Sequence, residues 1–128
     1  MNELLQLNSF NLTDIAYAVG VLSRFVAKHS HVHWVGCKRV LRYLCGTSNL
    51  GIRFAREVSS VLVAYSDADW GGDVKSRRST TGYVVLKCSG PVSWRSRLQC
   101  TVALSSTEAE LTALVEVTQE TPLHLISQ

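Results

Sequence analysis

The sequence predicts an α+β chain in which two helices precede a three-stranded antiparallel meander and a closing helix. Apolar residues recur at three- and four-residue steps between Thr13 and Cys45, alternate after Gly46, and return to helical spacing after Ser105. The chain is 46% hydrophobic and 18% charged, a folded rather than a disordered balance. At 128 residues it can bury roughly two-thirds of its unfolded surface.

The first dozen residues are polar with interspersed leucines and show no period. From Thr13, residues Ile15, Val19, Leu22 and Val26 form a helical stripe widened by Tyr17 and Phe25, with Thr13 or Asp14 as cap. A polar, histidine-containing break from Lys28 to His33 precedes a second helix, expected from about His31 to Cys45. Trp34, Cys37, Leu41 and Leu44 make its apolar face, and Gly46 is the expected C-cap. The two helices read as an antiparallel pair. Leu50, Ile52 and Phe54 then alternate with Gly51 and Arg53, predicting a short strand, and Ser59-Ser60 a turn. Val61 to Tyr65 reads as a buried strand, Trp70 to Asp73 as a loop, and Thr80 to Cys88 as the next strand. Ser89-Gly90-Pro91 predicts a tight turn into a third strand over Val92 to Arg97. The last helix is expected from Ser106 to about Glu120, stopped by Pro122.

Charge is distributed unevenly. Residues 1–100 carry all 13 Lys and Arg against six Asp and Glu, whereas residues 101–128 carry four Glu and no Lys or Arg. A basic body of this kind suits a polyanion such as nucleic acid. No run of about 18 apolar residues and no secretory signal pattern occurs, so an intracellular protein without a membrane span is expected. Cys37, Cys45, Cys88 and Cys100 fit no zinc pattern and read as buried or half-buried thiols. The tryptophans Trp34, Trp70 and Trp94 are expected in the core, and His29, His31 and His33 in a solvated turn.

Two places carry candidate chemistry. Asp67 and Asp69 end an otherwise apolar strand, where a carboxylate must be exposed, hydrogen-bonded or cation-bound. In an extended strand they share one face, and two such oxygens suit Mg²⁺. The bland alternative is that they end the strand and start the turn at Gly71. In Ser105-Ser106-Thr107-Glu108-Ala109-Glu110, Ser105 and Glu108 fit a capping box. Glu110 projects from another side of the helix, near Ala113 and Leu114, and is the stronger functional candidate.

Four strings occur in order: Tyr65-Ser66-Asp67-Ala68-Asp69-Trp70-Gly71-Gly72, Ser76-Arg77-Arg78-Ser79-Thr80-Thr81-Gly82-Tyr83, Val92-Ser93-Trp94-Arg95-Ser96-Arg97-Leu98-Gln99, and Thr101-Val102-Ala103-Leu104-Ser105-Ser106-Thr107-Glu108-Ala109-Glu110. Together they resemble the ribonuclease H domain of copia-type retrotransposon Pol polyproteins. Upstream, Asp14-Ile15-Ala16-Tyr17-Ala18-Val19, Leu22-Ser23-Arg24-Phe25, His33-Trp34, Lys38-Arg39-Val40-Leu41-Arg42-Tyr43-Leu44 and Gly46-Thr47 resemble the end of the same polyprotein's reverse transcriptase.

The resemblance implies reverse transcriptase end over residues 1–56, a partial, truncated ribonuclease H-like fold over 57–121, and a divergent tail over 122–128. It implies Mg²⁺-dependent hydrolysis of the RNA strand of an RNA–DNA hybrid, with two ions activating a water and stabilising the leaving oxygen. Asp67 and Glu110 match the family's first two carboxylates, with Asp69 beside the site. The basic residues Arg77, Arg78, Lys87, Arg95 and Arg97 are candidates for phosphate contacts. The remaining polyprotein is an expected partner. The family's later carboxylates, the first in an Asp-Asn-x-x-Ala string, do not occur here, so the chain alone is expected to be inactive.

Overall fold

The computed structural model describes residues 13–54 and 61–126, without the side chains of 122–126. The chain divides into two compact units, Met1–Ile52 and Arg53–Gln128.

In the first unit, a 3-10 turn over Thr13–Ile15 leads into helix α1, Ala16–Ser23. This helix ends earlier than the apolar stripe suggests. The Arg24, Phe25 and Val26 amides step to carbonyls three residues back, and the Ser23 hydroxyl donates to the Gly20 carbonyl at 2.7 Å. Helix α2 spans His31–Gly46, close to expectation. Its C-cap is Thr47 rather than Gly46, because the Thr47 amide and hydroxyl both donate to the Tyr43 carbonyl. Ile15, Val19, Cys37 and Val40 form the core between these helices, with Ala18, Leu22 and Leu44 packed against it.

The histidine segment is not simply a solvated turn. His31 opens α2, and the His33 Nδ1 accepts the Ser30 backbone N–H at 2.9 Å. An imidazole thus takes the place of the carboxylate of a capping box. Its ring stacks on Phe25 at 4.0 Å between centroids. Tyr43 donates to the Asp14 carboxylate, and that bond holds the phenol above its ordinary pKa.

The second unit holds strands β1 (Val63–Asp69), β2 (Thr80–Lys87) and β3 (Gly90–Leu98), then helix α3 (Ser106–Ile126). The sheet is antiparallel in the order β1-β2-β3, so β1 and β3 are its edges among the described residues. Val63 pairs with Leu86 and Asp69 with Thr80. Thr80 pairs with Leu98 and Lys87 with Gly90, with a bulge at Val85/Leu86. Tyr83, Val85 and Val117 make the core under α3, with Leu62 and Val92 against it.

Several expectations are corrected. Leu50 to Phe54 is not a strand. Alternation alone gives no strand without a partner, and Phe54 packs instead against Gly90. The first strand of the meander begins at Val63 rather than Val61 and runs to Asp69, following its pairing with β2. The β2–β3 turn is Cys88-Ser89, both with φ near +55° (50° and 62°), and Gly90 already belongs to β3. Pro122 does not stop the last helix, which continues to Ile126. A proline removes one helical N–H, and just before it the Thr121 hydroxyl donates to the Val117 carbonyl at 2.7 Å. Trp34 and Trp70 are about half exposed rather than core, and only Trp94 is partly buried. Of the cysteines, Cys37 is buried as expected, whereas Cys45 and Cys100 are exposed. The turn expected at Ser59-Ser60 lies outside the described residues.

Candidate functional site

The sheet has two faces, and strand alternation assigns each candidate to one of them. Ser66 lies opposite the buried Tyr83, and Ala68 opposite the buried Thr81, so these residues face α3. Tyr65, Asp67 and Asp69 therefore face the other side, and all three are exposed. Asp67 pairs with Gly82 and Asp69 with Thr80. The two aspartates share one face, as the sequence suggested.

Asp69 also has a local role. A Cβ built on Gly72 would lie 1.9 Å from its Oδ2, so its carboxylate rests directly on the Gly72 backbone. Asp73 organises the loop that follows: its Oδ2 accepts the Ser76 amide at 2.8 Å and the Ser76 hydroxyl at 2.5 Å. Its backbone exchanges bonds with Arg77 and Arg78, and Arg77 takes a left-handed conformation with φ 56°. The indole of Trp70 donates to the Ala103 carbonyl at 3.1 Å, tying this loop to the segment before α3.

The start of α3 is capped as the sequence predicts, with one shift. The Glu108 amide donates to the Ser105 hydroxyl at 3.2 Å, while the Glu108 carboxylate accepts the Leu104 amide at 2.7 Å rather than that of Ser105. Glu108 thus has a structural role. Glu110 is exposed and lines a cleft with Ser66, Thr107, Leu111 and Leu114. Asp67 lines an adjoining cleft with Tyr65, Ser66, Gly82, Tyr83, Val84 and Arg95. Ser66 is common to both, so the two carboxylates flank the β1 edge without lining one cleft. Among the described residues, no three His, Cys, Asp or Glu side chains gather at one point. These residues therefore do not by themselves fit a pair of Mg²⁺ ions.

The five basic candidates do not form one patch. Arg77 and Arg78 lie in the β1–β2 loop, and Arg97 pairs with Thr81 at the same end of the sheet. Lys87 ends β2 at the opposite end, about 24 Å away along an eight-residue strand. Arg95 forms an ion pair with Glu120 of α3 at 3.8 Å. Arg97 donates to the Cys100 sulfur at 3.3 Å.

Sequence reasoning missed the residue that holds this region together. Gln99 is 2% exposed, and its Nε2 donates to Thr81 Oγ1 at 3.0 Å and to the Ala109 carbonyl at 2.9 Å. Its backbone N–H donates to the Ser79 carbonyl at 2.8 Å. It joins the end of β3 to β2 and to the first turn of α3, which carries Glu110. A lone glutamine after a strand carries no pattern that would reveal this.

No family model matches the chain, and no solved structure matches it. Curated relatives do. The secreted RxLR effector protein 161 of Plasmopara viticola is 58% identical over 107 residues, covering 84% of this chain and 75% of that protein. The retrovirus-related Pol polyprotein from transposon TNT 1-94 of Nicotiana tabacum is 46% identical over 107 residues, covering 84% of this chain and 8% of the polyprotein. The corresponding polyprotein from transposon RE1 of Arabidopsis thaliana is 44% identical over 116 residues, covering 91% of this chain and again 8% of the polyprotein. The chain thus spans most of one relative and a small part of the others. No helix among the described residues is long and apolar enough to cross a membrane.

Proposed function

Because this chain is homologous to a segment of retrotransposon Pol polyproteins, a segment also present in a secreted effector protein of Plasmopara viticola, we infer that it joins a reverse transcriptase end to a ribonuclease H beginning. In that reading Asp67 and Glu110 are two of the carboxylates that act in Mg²⁺-dependent hydrolysis of RNA in an RNA–DNA hybrid. The observation that carries it is their position. Asp67 lies two residues before the end of the edge strand, Glu110 sits on the helix beside that strand, and Ser66 belongs to the clefts of both. Two carboxylates cannot hold two divalent ions. The 128-residue chain by itself is therefore inactive.

A chimera tests the reading. Residues 61–121 of this chain replace the matching segment of an active Pol polyprotein, and hybrid cleavage is followed with Mg²⁺. The chimera should cleave, and Asp67→Asn or Glu110→Gln should abolish cleavage while Asp69→Asn retains most of it. Full cleavage by the Asp67→Asn and Glu110→Gln chimeras would refute the assignment. Mg²⁺-dependent cleavage by the isolated chain would refute the inactivity.

One observation favours a second reading, a non-catalytic module. The chain covers 75% of a relative that is a protein in its own right. Such a module would bind nucleic acid through the end of the sheet that carries Arg77, Arg78 and Arg97. Replacing each by alanine should lower the slope of log affinity against log salt by about one phosphate contact, whereas Lys87→Ala should leave it unchanged. Salt-insensitive binding would remove this reading.

A further inference from the structure

We propose that Gln99 is a positioning residue for the two candidate carboxylates, setting where Glu110 stands relative to the strand that carries Asp67. The inference rests on the reading of Asp67 and Glu110 as acting together, and it names the group that fixes their geometry.

The Gln99 amide spans the two elements at the residues next to the carboxylates. On α3 its Nε2 donates at 2.9 Å to the Ala109 carbonyl, which belongs to the peptide bond leading into Glu110. On the sheet the same Nε2 donates to Thr81 Oγ1 at 3.0 Å, and Thr81 pairs with Ala68, the residue after Asp67. A carbonyl can only accept, so the Nε2 and not the oxygen must face α3, and the amide has one orientation. The backbone of Gln99 is held as well. Its N–H donates to the Ser79 carbonyl at 2.8 Å, and the Ser79 hydroxyl accepts the Gly71 N–H at 3.2 Å, two residues past the end of β1. Ser79, Thr81 and Ala109 are fully buried, so none of them can shift without moving its neighbours.

Stability is a weak reason for an amide at this place. Gln99 Oε1 is buried with no partner among the described residues, and an unpaired acceptor offsets part of what the two donated bonds contribute. An apolar side chain of the same length would fill the space but would lack direction. Reacting groups must be held to within about 0.5 Å, which directional hydrogen bonds do and apolar contacts alone do not. The need is greatest at the start of α3. Over Ser106 to Ala113 it buries only Ala109 and Ala113, whose methyl groups oppose a slide along the sheet weakly.

The chimera carrying residues 61–121 is compared with and without Gln99→Met, with circular dichroism as the check on folding, and kcat and KM for hybrid cleavage are measured separately. Gln99→Met should lower kcat at least about tenfold and leave KM within about twofold. A displacement of about 1 Å at a reacting group can lower the rate about a hundredfold, while the contacts that hold the hybrid are untouched. Amide exchange on the full chain is the second measurement. Gln99→Met should speed exchange over Ala109 to Ala113 at least about tenfold more than over Tyr83 to Val85, because losing a local tie opens that place first. Equal acceleration of the two segments is the mark of lost stability alone and overturns the proposal. So does a kcat within about threefold of the unsubstituted chimera while Asp67→Asn and Glu110→Gln abolish cleavage, an outcome that leaves the reading of the carboxylates standing. Full cleavage by the Asp67→Asn and Glu110→Gln chimeras refutes that reading itself, and the positioning role with it.

Discussion

Replacing Gln99 separates two ways in which it could support the second unit. Its Nε2 makes two buried hydrogen bonds, to Thr81 Oγ1 and to the Ala109 carbonyl, while its Oε1 has no partner. Gln99→Met keeps the volume and removes the whole amide. Two hydrogen bonds contribute about 1 kcal/mol each, and removing an unpaired buried acceptor returns about 1 kcal/mol, for a net cost of about 1 kcal/mol. Gln99→Ala loses the same bonds and also leaves a cavity of four heavy atoms, adding about 2 kcal/mol for a total of about 3 kcal/mol. The assay is urea unfolding in a Trp34→Phe background, so that Trp70 and Trp94 report the second unit. Equal losses for the two variants would refute the packing contribution. A loss below about 0.3 kcal/mol for both would refute the clamp altogether.

Gly90→Ala should cost about 1–2 kcal/mol, because the new Cβ would lie 2.5 Å from the Phe54 ring and 3.2 Å from the Arg53 carbonyl. A double-mutant cycle with Phe54→Ala should recover the ring's share and leave the backbone's, and full additivity would show that the ring is not the obstacle. At high pH, burial of the Tyr83 hydroxyl raises its pKa above 10.0, reinforced by Glu120 and opposed by Arg95. A folded-state pKa above the unfolded one contributes stability that is complete below pH 10 and is lost as pH rises through the raised value. Tyr83→Phe should therefore flatten the alkaline loss of stability, and an unchanged slope in chemical denaturation between pH 9 and 11.5 would exclude Tyr83 as its source.

The sequence was most readable where one local rule acts alone. The start of α3 follows from Ser105 and Glu108, and α2 from a four-position apolar stripe. It was least readable where a distant partner decides. Leu50 to Phe54 alternates like a strand, yet among the described residues it pairs with none, and Phe54 only packs its ring on Gly90 at the start of β3. Val61 to Tyr65 is the apolar run, but pairing with β2 sets the real limits at Val63 and Asp69. Pro122 obeys a preference, not a prohibition, and a long helix already packed on the sheet carries through it. At the site, the shared face of Asp67 and Asp69 follows from period two. That Glu110 lies across the β1 edge from Asp67, rather than beside it, follows only from the packing of α3.

That edge also decides what the two carboxylates can do. Asp67 faces one side of the sheet and Glu110 the cleft on the other, so the strand between them separates the two carboxylates. Whatever pairs with β1 becomes the wall against which Leu111, Leu114 and Glu110 rest. If that wall is a strand bringing a further carboxylate, it supplies what the described residues lack for a pair of divalent ions. The chimera should accordingly lose hybrid cleavage when the polyprotein segment that follows residue 121 is removed, and cleavage that survives the removal would refute the need for such a wall.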